Sequence, residues 1–403
     1  MTKRIAIIGS GFAGMWAALA AARARSIAGQ DEQAVEIIVI SPVAALVIRP
    51  RLYETEFDEM APRLEKLFGT AGVRHIAGRV REIDVDAKSI VFEQVSGTST
   101  TLAYDRLVLA AGSGLFMPKI PGLVEHAFNV DQLEGAVELD RHLHSLSRLE
   151  DSPRRNTVVV AGGGFTGIET AAEMPRRLKQ LLGDHVLSRV IIVEQADAIG
   201  PDLGPGPRPV IEEALRTLDV EVRTGATVTG IDSSGITVNG GEHIESMTVI
   251  WTAGARANAL AAQVPGQRDR YGRLIVTSDL RVDSVDDVFA TGDMAFAATD
   301  DAGNHAMMSC QHAMNLGRSA GHNAAADLLG LSLRPYSQPK YVTCLDLGHW
   351  GAVYTEGWDR QVKLQGADAK TLKQQINTLW IYPPEGSREE IFEAADPARI
   401  VVA

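Results

Sequence analysis

A short apolar run that ends in clustered glycines and restarts with helical spacing occurs twice in this chain. The copies are RIAIIGSGFAGMWAALAAARAR (residues 4–25) and TVVVAGGGFTGIETAAEMPRRL (157–178). Each reads as a buried strand, a Gly-rich turn and an Ala-rich helix. In both copies the first glycine lies 32 residues from the end of a second apolar strand, EIIVIS closing at Ser41 and RVIIVE closing at Glu194. The equal spacing means that the copies correspond. Gly9, Gly11 and Gly14, and likewise Gly162, Gly164 and Gly167, lack side chains where a tight turn, an approaching pyrophosphate and a close helix–strand contact need the room. A helix N-terminus behind each loop offers free N–H groups and a positive dipole end to an anion. Two loops therefore imply two dinucleotides.

At 403 residues the chain has room for two or three domains and a large cofactor. Lys and Arg number 39 against 51 Asp and Glu, and the net charge of -12 argues against nucleic-acid phosphates and anionic lipid as partners. With only Cys310 and Cys344, no disulfide framework is available, which fits a reducing, cytoplasmic setting. No run reaches the length of a membrane-spanning helix, and the N-terminus passes straight into a strand.

Closing segments match as well: YDRLVLAAGS (104–113) and MTVIWTAGA (247–255) each end an apolar strand in a small-residue turn. RHIAGRVREIDVDAKSIVFEQ and VRTGATVTGIDSSGITVNG alternate like hairpins or meanders. A further strand in DDVFATGD, a helix from Cys310 to Leu329 and a tail from Pro335 follow. In the tail, Leu372, Ile376, Leu379 and Trp380 share one helical face, with Lys370 and Lys373 on the polar side.

Ala290-Thr291-Gly292-Asp293 completes a signature with the first glycine loop, and here the chain resembles the two-dinucleotide-binding flavoprotein superfamily. RPRLYE (49–54), GGGFTGIETAAE (162–173), VIWTAGARA (249–257) and SCQHAMNLG (309–317) resemble type II NADH:quinone dehydrogenases. The resemblance covers residues 4 to about 330. It implies an α/β fold of two Rossmann-like, glutathione-reductase-like domains with a small C-terminal α+β region. Residues 1–120 with 256–334 would bind FAD, 121–255 NAD(H), and 335–403 would serve the acceptor site or a dimer or membrane contact. Implied FAD contacts are Gly9, Gly11, Phe12, Ala13, Gly14, Ser41, Pro42, Arg49, Val80, Ala111, Gly112, Gly292, Asp293, Cys310 and Gln311. Implied NAD contacts are Gly162, Gly164, Phe165, Thr166, Gly167, Glu194 and Gly254. The implied reaction is hydride transfer from NADH to flavin, then two electrons to a quinone or quinone-like small molecule.

Glu169 matches the family's glutamate near the flavin–nicotinamide contact; the plain alternative is a helix carboxylate favoured by the dipole, a description that suits Glu173 better. Gln311 matches the Gln of an Ala-Gln quinone motif, although Cys310 replaces the Ala and Asn315 the second Gln. His312 beside it is a titratable group or a helix-surface residue. Glu194 suits ribose hydroxyls and Gln195 brings no cation for a 2′-phosphate, favouring NADH over NADPH. Ser41 replaces the acid expected in the first unit. Arg49 and Arg51 either meet the flavin phosphates or decorate the surface. Cys310 and Cys344 resemble a sulfur-handling pair or are inert buried thiols. Trp350, Trp358 and Trp380 line a cavity or a dimer contact, or simply pack. The tail helix either packs on the body or in a homodimer, or attaches weakly to the inner face of the membrane. Two other outcomes stay open: reduction of a ferredoxin- or rubredoxin-type protein, and an apoptosis-inducing-factor-like flavoprotein switched by NADH.

Overall fold

The structure, a computed structural model, describes residues 2–399. Its larger sheet has seven strands in the spatial order Val288–Ala290, Arg106–Leu109, Lys3–Ile8, Val35–Ser41, Arg74–Asp84, Ser89–Gln94 and Ser99–Ala103. The first five run parallel. Their runs are apolar almost throughout because both faces of such a sheet are covered. Arg74–Asp84 pairs in parallel as far as Ala77 and from Gly78 continues into an antiparallel meander, with a register shift between Val80 and Glu82, as its alternating pattern predicts.

The second glycine loop starts a separate parallel sheet of five strands, ordered Val220–Arg223, Arg189–Val193, Thr157–Ala161, Thr248–Trp251 and Ala127–Phe128. A three-stranded meander over residues 228–245 lies beside it. The chain leaves the first unit at Ser113–Leu115 and returns at Ala255–Ala257, and these two segments pair antiparallel.

Helix Cys310–Leu329 lies along helix Phe12–Ile27. Gly317 and Gly321 face it on successive turns, and a Cβ on either would collide with the carbonyl oxygen of Ala13 or Ala17. Close approach at these points lets the Ala-rich face of the first helix be buried completely.

The C-terminal region is an antiparallel sheet of Val342–Asp346, Ala352–Glu356 and Gln361–Gly366, followed by helix Ala367–Gln375 and a π-helical turn Ile376–Trp380. Here the sequence expectation fails. Leu379 and Trp380 are 67% and 41% exposed, whereas Lys373 and Asn377 are buried. The π turn rotates the last five residues away from the α-helical register, and buried carboxylates draw the lysines inward, since a buried charge needs a partner. Nor do the tail tryptophans act as one group: Trp358 stacks on Tyr341, with ring centroids 4.6 Å apart, while Trp380 stands at the surface.

Candidate active site

The two glycine loops repeat one geometry. Gly9 and Gly162 have φ of +106° and +118°, where only glycine sits without strain. A Cβ on Gly14 would strike the carbonyl oxygen of Gly9, and one on Gly167 that of Gly162. At Gly11 and Gly164 a Cβ would meet nothing within 4 Å. The loops are thus filled on the protein side and open where Phe12–Ile27 and Phe165–Leu182 begin. Neither helix has a side-chain cap. Free N–H groups at an open glycine edge fit the pyrophosphate of a dinucleotide at each loop.

At the strand ends, Glu194 is buried and its carboxylate oxygens accept from Gly163 N (2.6 Å) and Ala196 N (2.8 Å). Each oxygen keeps a lone pair for a hydroxyl donor. Ser41 Oγ donates to Val43 O (2.7 Å) and meets His75 Nε2 at 2.9 Å, so its hydroxyl proton is used inside the turn.

Asp293 follows strand Val288–Ala290, with Gly292 packed on Ala13 of the first glycine loop's helix. Its Oδ2 accepts from Ser113 Oγ (2.6 Å) and lies 3.7 Å from the Arg49 guanidinium. Arg49 also pairs with Asp131 and reaches Ser113 Oγ at 3.2 Å. It therefore bridges the loop over residues 49–51, the crossing segment and the Asp293 turn. Arg51 differs from both sequence expectations: it is buried, pairs with Glu54 (2.8 Å) and bonds Tyr382 Oη (2.7 Å) in the tail. Ser113 closes the small-residue turn of YDRLVLAAGS, but nothing in that segment marked it as a partner of Asp293, and Asp131 carried no motif.

Glu169, the fifth residue of its helix, is buried against the C-terminal region. Lys373 Nζ lies 2.8 Å away and Asp346 N donates to Glu169 Oε1 at 3.0 Å. Asp346 in turn accepts from Lys370 Nζ (2.6 Å), Tyr53 Oη (3.1 Å) and Gly348 N (2.8 Å). Burial raises the Glu169 pKa to about 7, with Lys373 pulling it down and Asp346 pushing it up. For Lys373, burial works against the charge, yet Glu169 holds the ammonium protonated well above the ordinary lysine range. Both lysines, expected on a polar helix face, thus point at buried carboxylates. Glu173 is paired with Arg176.

Burial pushes the Cys310 and Cys344 thiols up to about 11 and about 12, and both are free. Protonated thiols of this kind are poor nucleophiles. His312 is fully buried rather than on the helix surface. Its Nδ1 meets Ser309 Oγ at 3.0 Å, and burial with Arg273 and Arg360 lowers its pKa to about 3. It stays neutral and does not titrate near pH 7.

Gln311 Oε1 accepts from Gln338 Nε2 at 3.4 Å. Gln338 Oε1 accepts from Asn315 Nδ2 and Tyr336 Oη, both at 2.9 Å, and Asn315 Oδ1 accepts from Arg318 Nη1 at 2.9 Å. Gln338 and Tyr336 lie in the tail, where no motif marked them. Cys310, next to Gln311, feels the charges of both Lys373 and Asp293. Gly292 of the Asp293 turn packs against Ala313 at the start of the Gln311 helix.

The family model for pyridine nucleotide-disulphide oxidoreductases matches residues 3–317. An NADH dehydrogenase-like protein of Mycobacterium tuberculosis is 46% identical over 98% of each chain. A type II NADH:quinone oxidoreductase of the same organism is 32% identical over 73% of this chain and 66% of its own. The solved structure of NDH2 from Plasmodium falciparum in complex with NADH has the same fold, with a TM-score of 0.77 at 14% identity over 98% of each chain. The two dinucleotide cradles and these matches together establish that the chain belongs to the pyridine nucleotide-disulphide oxidoreductase family, as an NAD(P)H-dependent flavoprotein oxidoreductase.

Proposed function

We propose that this protein oxidises NADH and delivers two electrons to a quinone or quinone-like acceptor. The observation that carries the reading is the packing of the Asp293 turn on the start of the Gln311 helix, where Cys310 feels the charges of both Asp293 and Lys373, the partner of buried Glu169. Residues 1–120 and 256–334 hold FAD, 121–255 hold NAD(H), and 335–403 close the acceptor side. Bound there, FAD supplies a ring that takes up a hydride and gives up an electron pair.

The chain supplies alignment, exclusion of water and a proton. N–H groups at Gly11, Phe12 and Ala13 hold one pyrophosphate, and those at Gly164, Phe165 and Thr166 the other. Asp293, fixed by Ser113 and Arg49, orients the flavin side. Glu194 accepts from ribose hydroxyls, and its buried negative charge repels a 2′-phosphate, which supports NADH over NADPH. Quinone reduction by NADH takes one proton from solution besides the hydride. Glu169, with its affinity raised to about pH 7, stores that proton, and Lys373 keeps its carboxylate stable once the proton has left. Gln311 addresses a carbonyl of the acceptor.

Among the described residues no helix is long and apolar enough to cross a membrane. We place the protein in the cytoplasm, with Leu379 and Trp380 giving weak contact to the inner face of the membrane or to a second copy.

An acceptor screen during steady-state NADH oxidation tests the reading. Menadione should outpace ferredoxins, and Glu169→Gln and Gln311→Ala should keep their flavin yet lose roughly tenfold or more in quinone turnover. A bound flavin that NADH does not bleach would remove the proposal.

A further inference from the structure

The Gln311 amide belongs to a chain of hydrogen bonds whose direction is fixed from its far end. Arg318 is buried, its guanidinium lies 3.8 Å from the centre of the Trp16 ring, and it carries donors only. The end of Asn315 that it touches at 2.9 Å must therefore be the carbonyl oxygen, so the Asn315 NH2 points the other way, to Gln338. Tyr336 Oη sends its proton to that same Gln338 oxygen. Gln338, fully buried, is left with its NH2 facing Gln311. Gln311 meets it with its carbonyl oxygen, and the Gln311 NH2 is the end that remains for a substrate.

We propose that Gln338, oriented by Asn315 and Arg318, is a positioning residue that makes Gln311 present a hydrogen-bond donor to the acceptor site, which selects acceptors bearing a ring carbonyl. The inference rests on the quinone reading above and deepens it. A quinone carbonyl has two lone pairs for this NH2. The hydroquinone oxygen can accept only when its own proton turns aside, so the same donor favours substrate over product. The chain also accounts for Asn315 at the second motif position: a shorter amide there reaches Gln338 from the tail instead of standing alone.

The test uses the FAD-loaded full chain at saturating NADH, with menadione as the carbonyl acceptor and ferricyanide as an acceptor that needs no directed amide. The readout is the ratio of the two kcat/KM values, accompanied by flavin content and by menadione binding to the oxidised protein. The Asn315→Asp variant still accepts from Arg318 but loses its donor. Gln338 then turns its NH2 toward the introduced carboxylate, and Gln311 turns its oxygen toward the quinone. The menadione-to-ferricyanide ratio should fall roughly tenfold, and menadione binding should weaken with it. Gln338→Leu, which breaks the chain, should lower the ratio by roughly threefold, and adding Asn315→Asp to it should change nothing further.

An unchanged ratio in both single variants overturns the relay, as does an Asn315→Asp effect that persists undiminished in the Gln338→Leu background. If one variant fails to bind flavin, the other alone decides by the same ratio. Absence of menadione turnover in the parent protein would overturn the acceptor reading itself, and is a different result from a parent that turns over while its variants keep the parental ratio.

Discussion

Glu169 shows how burial raises the proton affinity of an ordinary carboxyl side chain. Its carboxyl faces Lys373 from the tail helix, Asp346 and Cys344 from the first tail strand, and Tyr53 from the loop after Arg51. Because its affinity is raised to about pH 7, it is protonated below that value and ionised above. Turnover limited by proton delivery should therefore hold level below pH 7 and fall about tenfold per unit above it, while Glu169→Gln removes the break in the profile. Menadione-dependent rates between pH 6 and 9 check this, and an identical break in the variant would exclude Glu169 as its source. Glu169 was readable because it sits inside a glycine-loop motif. Asp346, 177 residues away, and Lys373 were not, because local spacing says nothing of contacts made by chain return. His312 illustrates the opposite error: its helix position is legible, but only the packing of Tyr341 and Trp358 decides that it is buried and neutral.

Elements with a local signature followed the sequence closely. Strand, glycine turn and helix stand where the repeat puts them, and helix Cys310–Leu329 begins at Ser309, whose Oγ accepts from His312 N. The tail helix departed because apolar spacing alone does not foresee a π turn or a lysine pulled toward a buried carboxylate. Gly321 offers a direct probe of the helix pair. Its replacement by Ala pushes a methyl into Ala17 O, a backbone atom that cannot move aside cheaply. A loss of about 1–3 kcal/mol is expected, with weaker flavin retention because the same helix carries the first loop. Urea midpoints of the flavin-loaded protein measure it, and a midpoint equal to the parent's would show that the helices can separate without cost.

For the molecule as a whole, the tail has two faces with opposite duties. Inward, Lys373 locks the region onto helix Phe165–Leu182 and Lys370 ties the tail helix to the Asp346 strand; outward, Leu379 and Trp380 stand in solvent. Their burial in an interface is worth about 1.5–3 kcal/mol each, while the net charge of -12 opposes anionic lipid. Flotation should show weak binding to phosphatidylcholine vesicles, weaker binding when phosphatidylserine is added, and loss of binding in Leu379→Ser with Trp380→Ser. Equal flotation of parent and double variant would leave those side chains without a membrane role. The antiparallel pairing of Ser113–Leu115 with Ala255–Ala257 has a consequence for engineering. Departure and re-entry lie side by side, and every strand of the seven-stranded sheet falls outside the span between them. Residues 116–254 can therefore be swapped as one cassette for a module of different coenzyme preference, provided that the graft brings carboxylates to meet Lys373 and Arg49.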